Sequence, residues 1–248
     1  MNDQLPARQP GEKFIQDLFD RIARRYDLLN RIISFHLDTR WRTRAIRAAL
    51  KPEDRLVLDL GTGTGDLALA AARRINREGK IIGLDISLEM LRLARTKSRK
   101  AKCESHPVFV LGSALAPPLK DGLFDVVMTA FVLRNVPDLP RFFLEAYRLL
   151  GPGGRLVTLD MFPPAASSFS LLYAFYFYRL VPWIGAGIAG ERGAYKYLSD
   201  SVKAFEPPES VAQLIRQSGF ANVTFQRFLR GAVCLHRAEK PASRQTQA

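Results

Sequence analysis

The sequence of 248 residues is long enough for one large domain, and its 47% of hydrophobic residues exclude a globally disordered chain. Lysine and arginine outnumber aspartate and glutamate by 37 to 24, which gives a formal net charge of +13. Such a charge favours nucleic acid, an anionic membrane surface or acidic ligands as partners, without choosing among them.

The cysteine, histidine and hydropathy patterns exclude further classes of protein. Cys103 and Cys234 stand far apart without metal-ligand spacing, and the three histidines form no metal pattern either. This cysteine usage favours a reducing compartment. The N-terminus lacks the apolar core of a signal peptide, and no uncharged apolar run of about 18 residues occurs. We therefore predict a cytoplasmic protein with no metal site and no membrane-spanning helix.

The N-terminal fifth of the chain predicts a disordered segment over residues 1–12 and then helices over residues 13–50. Phe14, Leu18, Ile22 and Tyr26 share one helical face. The helices are rich in arginine, which suits a membrane or phosphate-facing surface, although an ordinary solvated helix face is the favoured interpretation for most of these side chains. The arginines are Arg24, Arg25, Arg31, Arg40, Arg42, Arg44 and Arg47.

The stretch from Arg55 to Asp85 predicts a strand, a glycine turn, a helix and a second strand. Gly61, Gly63 and Gly65 alternate after the first apolar run, and a turn this tight lets a ligand approach the backbone. Asp85 ends the second strand, where a carboxylate can accept hydrogen bonds from a ribose diol.

The sequence of this turn departs from the dinucleotide-binding fingerprint G-x-G-x-x-G, because GTGTG lacks the third glycine of that pattern. Asp59 and Asp66 flank the turn and suggest a cationic ligand rather than a pyrophosphate. S-adenosylmethionine fits, since it carries an ammonium and a sulfonium beside its adenosine. A glycine turn without any ligand is the alternative interpretation.

Three more strands follow in an α/β alternation. They are predicted at 107–111, 124–128 and 155–159, with helices at 87–99 and 139–150. In the first of these helices Leu88, Leu91 and Ala94 are expected to pack and Lys97 to be exposed. The segment FVLRNVPD after the fourth strand should lie at the carboxyl edge of the sheet, where α/β sheets bind ligands.

The alternation stops after Asp160, and residues 163–198 form an aromatic insertion. They predict a helix and loop that covers the pocket mouth or dips into a membrane surface, or else a helix packed in the core. A helix at 208–218 and strands at 223–228 and 232–236 close the fold, and residues 239–248 are expected to be a flexible tail. The whole of residues 13–238 is predicted to be one domain.

Several dispersed motifs resemble the ubiquinone/menaquinone biosynthesis C-methyltransferases over residues 14–238. They are Tyr26-Asp27-x-x-Asn30 with Ser34 and Trp41, DLGTGTGD, FVLRNV with Arg134 and Asn135, RLLGPGGRLVTLD and AYKYLSDSV. The resemblance implies a class I methyltransferase fold, with a seven-stranded, mostly parallel sheet, helices on both faces and an antiparallel last strand.

The same resemblance implies the reaction and its residues. S-adenosylmethionine would donate a methyl group to a ring carbon of a polyprenylated quinol, either demethylmenaquinol or a methoxy-benzoquinol. The cofactor would lie at the glycine turn with Asp59, Gly61 and Gly63. Thr64 and Asp85 would contact it, with Ser113 and Ala114 near the adenine. Arg134, Asn135 and Tyr26 would lie by the substrate ring. Arg134 would stabilise the phenolate, unless it forms a structural ion pair.

Three departures bear on substrate choice. Ser113 stands where relatives often carry Asp or Asn, His36 replaces a glycine, and Asp160-Met161-Phe162 replaces an acidic-aromatic-serine run. The net charge predicts that the protein contacts the anionic inner face of a membrane peripherally. The sequence leaves open whether the chain forms a homodimer. A nucleic-acid methyltransferase and a non-catalytic scaffold are the rival classes. The absence of a recognisable RNA-binding module argues against the first, and the intact glycines and Asp85 argue against the second.

Overall fold

A computed structural model describes residues 11–101, 103, 105–164, 175–181 and 192–242. Parts of the predicted N-terminal segment, insertion and tail (residues 1–10, 165–174, 182–191 and 243–248) lie outside the described residues. The helices are α1 Glu12–Ile33, α2 Leu37–Ala49, α3 Asp66–Ala72, α4 Leu88–Lys100, α5 Leu139–Leu149, α6 Arg192–Lys203 and α7 Pro208–Gln217. Single turns of other helix types occur at Leu133–Asn135, Phe175–Leu180 and Leu229–Gly231.

Seven strands form one sheet in the order β3-β2-β1-β4-β5-β7-β6. All neighbours pair in parallel except β7, which is antiparallel to both β5 and β6. The predicted fold class and the antiparallel last strand are therefore confirmed. The strands are β1 Leu56–Leu60, β2 Lys80–Asp85, β3 Val108–Leu111, β4 Phe124–Ala130, β5 Leu150–Met161, β6 Ala221–Phe228 and β7 Val233–Glu239.

Two apolar layers bury the sheet. Phe142 and Phe143 of α5 pack on one face with Val211 and Ile215 of α7. The other face is covered by α2, α3 and α4, through Trp41, Leu67 and Leu91 among others. Because the chain passes from β1 outwards to β3 and then returns to β4, the sheet reverses its order between β1 and β4. Open α/β sheets bind ligands beside such a reversal.

The fifth strand is longer than the sequence predicts. It begins at Leu150 and includes the Gly151-Pro152-Gly153-Gly154 segment, which we expected only to end the preceding helix. The backbone of this segment approaches β4 so closely that a Cβ at Gly154 would lie 3.1 Å from the carbonyl oxygen of Phe124. Glycine thus permits strand pairing here, with a register shift between Phe124 and Val126.

Individual side chains in the helices also differ from prediction. Phe14 and Leu88 are exposed, and Ile15 and Met90 take their places in the core. Ile15 precedes Leu18 by three residues and Ile22 by seven, so the buried stripe of α1 still has helical spacing. α6 was not predicted as a helix, and its Ala194 and Leu198 pack against Leu18 and Ile22 of α1.

At the C-terminus, β7 continues to Glu239 and pairs with Arg155 of β5. Lys240 then donates hydrogen bonds from Nζ to the carbonyl oxygens of Tyr147 and Leu150, at 2.9 and 2.6 Å. These contacts fix the chain two residues beyond the predicted end of the domain.

Candidate active site

The glycine turn connects β1 to α3 at the reversal of the sheet. Gly61, Gly63 and Gly65 all have positive φ, of 70°, 56° and 82°, which glycine adopts without steric cost. The Asp85 carboxylate accepts hydrogen bonds from the backbone N–H groups of Gly63 and Ser87, at 2.7 and 2.9 Å. The end of β2 therefore holds the turn in place.

A first cavity opens above this turn. Four carboxylates and a single basic side chain are among its lining residues: Glu12, Asp59, Asp66 and Asp85, with Arg42. The protein as a whole carries +13, so the acidic wall is a local property of this cavity. Such a wall suits a ligand with positive charge.

Asp59 is the most deeply buried of these carboxylates. Its Oδ2 accepts hydrogen bonds from the Thr62 hydroxyl and the Ala68 backbone N–H, at 2.7 and 3.1 Å. Its Oδ1 is buried without a partner among the described residues. Burial raises the pKa of Asp59 to about 7 and that of Asp85 to about 6, because both carboxylates are removed from water. A cationic ligand would satisfy the free oxygen of Asp59.

Most of the residues predicted to bind the cofactor line this first cavity. They are Asp59, Gly61, Gly63, Thr64, Asp85 and Ala114. Ser113 does not line it. The Ser113 hydroxyl instead donates to Glu12 at 2.5 Å and accepts from the N–H of Leu115. Sequence reasoning missed Glu12, whose carboxylate reaches the cavity from α1.

Thr64 belongs to a polar network that fastens α1 over the cavity. Its hydroxyl donates to Asp27 at 2.5 Å, and Lys97 Nζ lies 2.9 Å from the same hydroxyl. Lys97 also pairs with Asp27 and Asp66, at 2.6 and 2.5 Å. The prediction that Lys97 is exposed was therefore wrong, because α1 covers that face of α4 and supplies Asp27 as a half-buried partner.

A second cavity lies between α1, α2 and the described part of the insertion. Its walls are mostly apolar, and they include Trp41, Met161, Tyr176 and Phe177. Tyr26, Arg42 and Phe131 line both cavities, so the two spaces meet at these three side chains.

The described part of the insertion both covers the second cavity and packs in the core. Phe177 and Val181 form a small buried cluster with Val202 and Ala232. The Tyr176 hydroxyl donates to the carbonyl oxygen of Ile33 at 2.9 Å, which joins the insertion to the end of α1. The two alternatives that the sequence left open are thus combined here.

Arg134 lines the second cavity from the turn after β4 and is almost completely buried. Its Nη1 donates to Asp160 Oδ1 at 2.5 Å, while its Nε has no partner among the described residues. Burial lowers the pKa of Arg134, but the charges of Asp160 and Tyr26 outweigh this and raise it overall. Arg134 is therefore both a structural ion-pair partner and a fixed positive charge at the cavity wall.

The other two residues predicted to bind the substrate ring have different surroundings. Tyr26 lies where the cavities meet, and burial raises the pKa of its hydroxyl despite the opposing charges of Arg134 and Arg42. Asn135 lines the first cavity rather than the second, and its Oδ1 is buried without a partner among the described residues. Arg134 and Asn135 are neighbours in sequence, yet they line different cavities.

Arg42 is the arginine whose position the sequence misjudged. We grouped it with the surface arginines of the N-terminal helices, but it is 8% exposed. Its guanidinium lies 4.7 Å from the centre of the Phe131 ring. Amphipathic spacing places Arg42 beside Trp41, Ala45 and Ile46 on the buried side of α2, so the burial follows from helix geometry.

Gly61 and Gly63 provide a matched test of the turn. A Cβ at Gly61 would lie 2.5 Å from Val132 Cγ2, whereas a Cβ at Gly63 would meet nothing within 4 Å. We expect Gly61→Ala to lower the free energy of unfolding by about 2–4 kcal/mol, from the clash and the positive φ. Gly63→Ala should cost about 1–2 kcal/mol, from its φ alone. Urea unfolding measures both, and equal losses would contradict the close packing at Gly61.

No group of three or more histidine, cysteine, aspartate or glutamate side chains in the described ranges is arranged to hold a metal ion. Within the same ranges, the helices are all too short or too polar to cross a bilayer.

Comparison with known proteins gives a consistent result. A model of the ubiE/COQ5 methyltransferase family matches residues 7–240. A demethylmenaquinone methyltransferase of Thermus thermophilus is 42% identical over 224 residues, which cover 90% of this chain and 100% of the relative. A ubiquinone/menaquinone biosynthesis C-methyltransferase of Geobacter sulfurreducens is 39% identical and covers 94% of this chain and 90% of its own.

Solved structures are similar in fold. A methyltransferase of Thermotoga maritima, described as S-adenosylmethionine-dependent and a possible histamine N-methyltransferase, superposes with a TM-score of 0.64 at 22% identity. The match covers 91% of this chain and 99% of that one. A phosphoethanolamine N-methyltransferase of Haemonchus contortus, solved with S-adenosyl-L-methionine, has a TM-score of 0.57 at 17% identity. It covers 80% of this chain and 52% of its own.

Proposed function

We propose, from the premise that this chain belongs to the ubiE/COQ5 methyltransferase family, that it transfers a methyl group to a ring carbon of a polyprenylated quinol. The family is one of S-adenosylmethionine-dependent methyltransferases, as predicted. We assign the cofactor to the first cavity and the quinol to the second. The meeting of the two cavities at Tyr26, Arg42 and Phe131 is the observation that carries this assignment.

The residues of the first cavity fit S-adenosylmethionine. The Asp85 carboxylate at the end of β2 is placed to accept hydrogen bonds from a ribose diol. Ala114 and Leu115 line the same side, where the adenine would lie. Asp59, with its unpartnered oxygen, would meet the positively charged methionyl end of the ligand. When bound, the cofactor supplies a methyl group already activated on a sulfonium.

The second cavity fits a quinol with an isoprenoid tail. Its aromatic and aliphatic walls gain about 0.8 kcal/mol for each methylene that they remove from water. Arg134 is held by Asp160 and so presents a fixed positive charge to the cavity. That charge stabilises the oxygen of a quinol as its hydroxyl loses a proton, and the adjacent ring carbon becomes more nucleophilic.

Alignment of the two reactants is the chief contribution of the protein. Holding a nucleophile against an activated methyl group can lower the barrier by about 7–11 kcal/mol. Tyr26 and Phe131 form the common wall of the cavities and would limit the approach to one direction. Because Arg134 stays protonated, it does not act as a base.

The decisive experiment is mass spectrometry of quinones from a host that lacks its own quinol C-methyltransferase. We expect the methylated quinone to reappear with this chain and not with Asp85→Ala. Purified protein with a short-tailed demethylmenaquinol or methoxy-benzoquinol then identifies the preferred acceptor. Methylation of added RNA, with none of either quinol, would contradict the proposal and favour the nucleic-acid alternative.

We further propose that the mouth of the second cavity faces an anionic membrane. Phe35 and Leu229 line this cavity, yet they are 71% and 42% exposed. Both have positive φ, of 50° and 47°, a backbone geometry that is uncommon outside glycine. His36 shares it with φ 59°, which explains why relatives can carry a glycine there. Such strain is concentrated at functional sites.

Basic side chains accompany these two apolar tips. Arg40 and Arg44 are exposed on successive turns of α2, and Arg44 lies over the ring of Phe228, next to Leu229. Apolar tips beside arginines suit an interface of acyl chains and anionic headgroups. A quinol dissolved in the bilayer would enter the cavity from this side.

Flotation with vesicles tests this orientation. We expect the protein to bind vesicles that contain anionic lipid at low salt and to be released as salt screens the charges. Arg40→Gln with Arg44→Gln should weaken binding by roughly 1 kcal/mol for each arginine. The control pair, Arg99→Gln with Lys100→Gln, removes two exposed charges from α4. Equal losses in both double variants would indicate nonspecific charge rather than a defined membrane face.

A further inference from the structure

Arg42 is a charged group of the site for which, as for Glu12, the sequence predicted no role toward the cofactor. Among the described residues that line the first cavity it is the one basic side chain, and the other charged ones are carboxylates. Arginine is almost never fully buried without a partner, because an isolated charge removed from water is costly. Its surroundings should therefore contain an anion.

Among the described residues, the anionic partner of Arg42 is too distant for a hydrogen bond. Asp38 is the nearest ion-pair partner, with its Oδ2 3.9 Å from Arg42 Nε, beyond hydrogen-bond distance. The same Nε is buried and has no hydrogen-bond partner in the described part of the chain. The guanidinium carbon of Arg42 lies over the Phe131 ring, 4.7 Å from its centre, and this contact does not use the in-plane N–H donors of the guanidinium.

The neighbours of Arg42 place it at one end of the first cavity. The charge of Arg42 acts on Asp59 and Asp66, the carboxylates on either side of the glycine turn. Asp59 carries an acceptor oxygen without a partner. An unsatisfied donor and an unsatisfied acceptor in one buried space are the complement of a zwitterion. The methionyl end of S-adenosylmethionine is such a group, with an ammonium and a carboxylate on one carbon.

We propose that Arg42 binds the α-carboxylate of the cofactor and so fixes the methionyl end while the methyl group faces the second cavity. This inference rests on the cofactor assignment made under the proposed function but not on the quinol. Because Arg42 also lines the second cavity, binding of the carboxylate couples the position of the sulfonium to the common wall of Tyr26 and Phe131.

Decarboxylated S-adenosylmethionine is the probe, since it keeps the adenosine, sulfonium and ammonium and lacks only the carboxylate. In titration calorimetry of the whole protein without quinol, we expect the wild type to bind S-adenosylmethionine about tenfold to a hundredfold more tightly than the probe. Arg42→Gln should bind both ligands with similar affinity, and its affinity for the probe should change less than about threefold. Arg47→Gln, on an exposed position of the same helix, should retain the wild-type preference.

Arg42→Lys keeps the positive charge without the planar fork and should restore part of the preference, and it remains informative if Arg42→Gln does not fold. Three results would overturn the inference. An Arg42→Gln protein that loses affinity for both ligands equally would make Arg42 a structural residue. If Arg42→Gln keeps the wild-type preference for S-adenosylmethionine over the probe and raises the KM for quinol, Arg42 binds the acceptor instead. If neither ligand binds the wild type, the cofactor assignment itself fails.

Discussion

Arg134→Lys is expected to lower turnover by about 10²- to 10⁴-fold while the affinity for S-adenosylmethionine changes little. The substitution keeps a positive charge but loses the planar fork that lets one guanidinium face Asp160 and a substrate oxygen together. Loss of a preorganised donor to a developing oxyanion costs on the order of 10²–10³ in rate, and misalignment adds to it. Single-turnover kinetics with a short-tailed quinol measures the step directly.

The buried ion pair between Arg155 and Asp54 is a matched control for this prediction. Arg155 is as buried as Arg134, pairs with a carboxylate at the same 2.5 Å and also donates to the carbonyl oxygen of Ala49. It lines neither cavity. Arg155→Lys should therefore lower the melting temperature at least as much as Arg134→Lys, with turnover of the folded protein nearly unchanged.

Three measurements on one preparation separate the two roles of Arg134. Its pairing with Asp160 predicts some loss of stability, since breaking a buried pair can cost about 3–5 kcal/mol. A chemical role predicts that turnover falls far more than this loss explains. If Arg134→Lys and Arg155→Lys lose stability and turnover in the same proportion, Arg134 acts on the fold and not on the quinol.

The glycine turn and its strand ends could be predicted from sequence because local rules determine them. Asp59, the three glycines and Asp85 lie within a single βαβ unit, where strand pairing and tight turns fix which side chains meet. Asp59, Gly61, Gly63 and Asp85 all line the first cavity, which is consistent with that reasoning.

The residues that the sequence could not place reach the site from other parts of the chain. Glu12 enters the first cavity because α1 lies across it, fastened through Asp20 to Ser87 and through Asp27 to Lys97. These contacts join residues about 70 positions apart, so no local pattern reveals them. Arg42 was concealed for another reason, since it stands in a run of arginines of which most are solvated.

The pairing of Arg134 with Asp160 lies between these two cases. Arg134 follows the carboxyl end of β4, Asp160 lies next to the last residue of β5, and these strands are neighbours in the sheet. An ion pair was one of the two interpretations that the sequence allowed. The structure combines it with the position at the cavity wall, because a buried guanidinium has enough donors for both partners.

Asp59→Asn is expected to stabilise the unliganded protein at pH 8 and to weaken cofactor binding by about tenfold or more. The pKa of Asp59 is about 7 in the folded protein and 3.8 in its ordinary state, because burial disfavours the carboxylate. The folded state therefore holds a proton that the unfolded state loses. Stability from this group falls as pH rises from about 4 to 7, and above pH 7 the whole cost is present.

Asparagine removes that cost and can still accept the hydrogen bonds from Thr62 and Ala68. We expect a gain of about 1–3 kcal/mol at pH 8, or roughly 2–4 °C in Tm for each kcal/mol. The gain should shrink towards pH 5, where Asp59 is already protonated in the fold. Melting curves from pH 5 to 9 measure this, and Asp54→Asn is the control, because the loss of its pairing with Arg155 should destabilise the protein.

The affinity for the cofactor should rise with pH, whereas the stability that Asp59 contributes falls with pH. A cationic ligand favours the carboxylate, so binding near pH 6.5 should release protons from Asp59 and Asp85, whose pKa values are about 7 and 6. Affinity should fall by up to about tenfold for each pH unit below 7 for each group that must ionise. Calorimetry in two buffers of different ionisation enthalpy counts these protons.

Asp59→Asn should release fewer of these protons on binding, since it places an amide where the carboxylate met the positive charge. Unchanged proton release in this variant, or a lower Tm at pH 8, would show that Asp59 is ionised and satisfied within the unliganded fold.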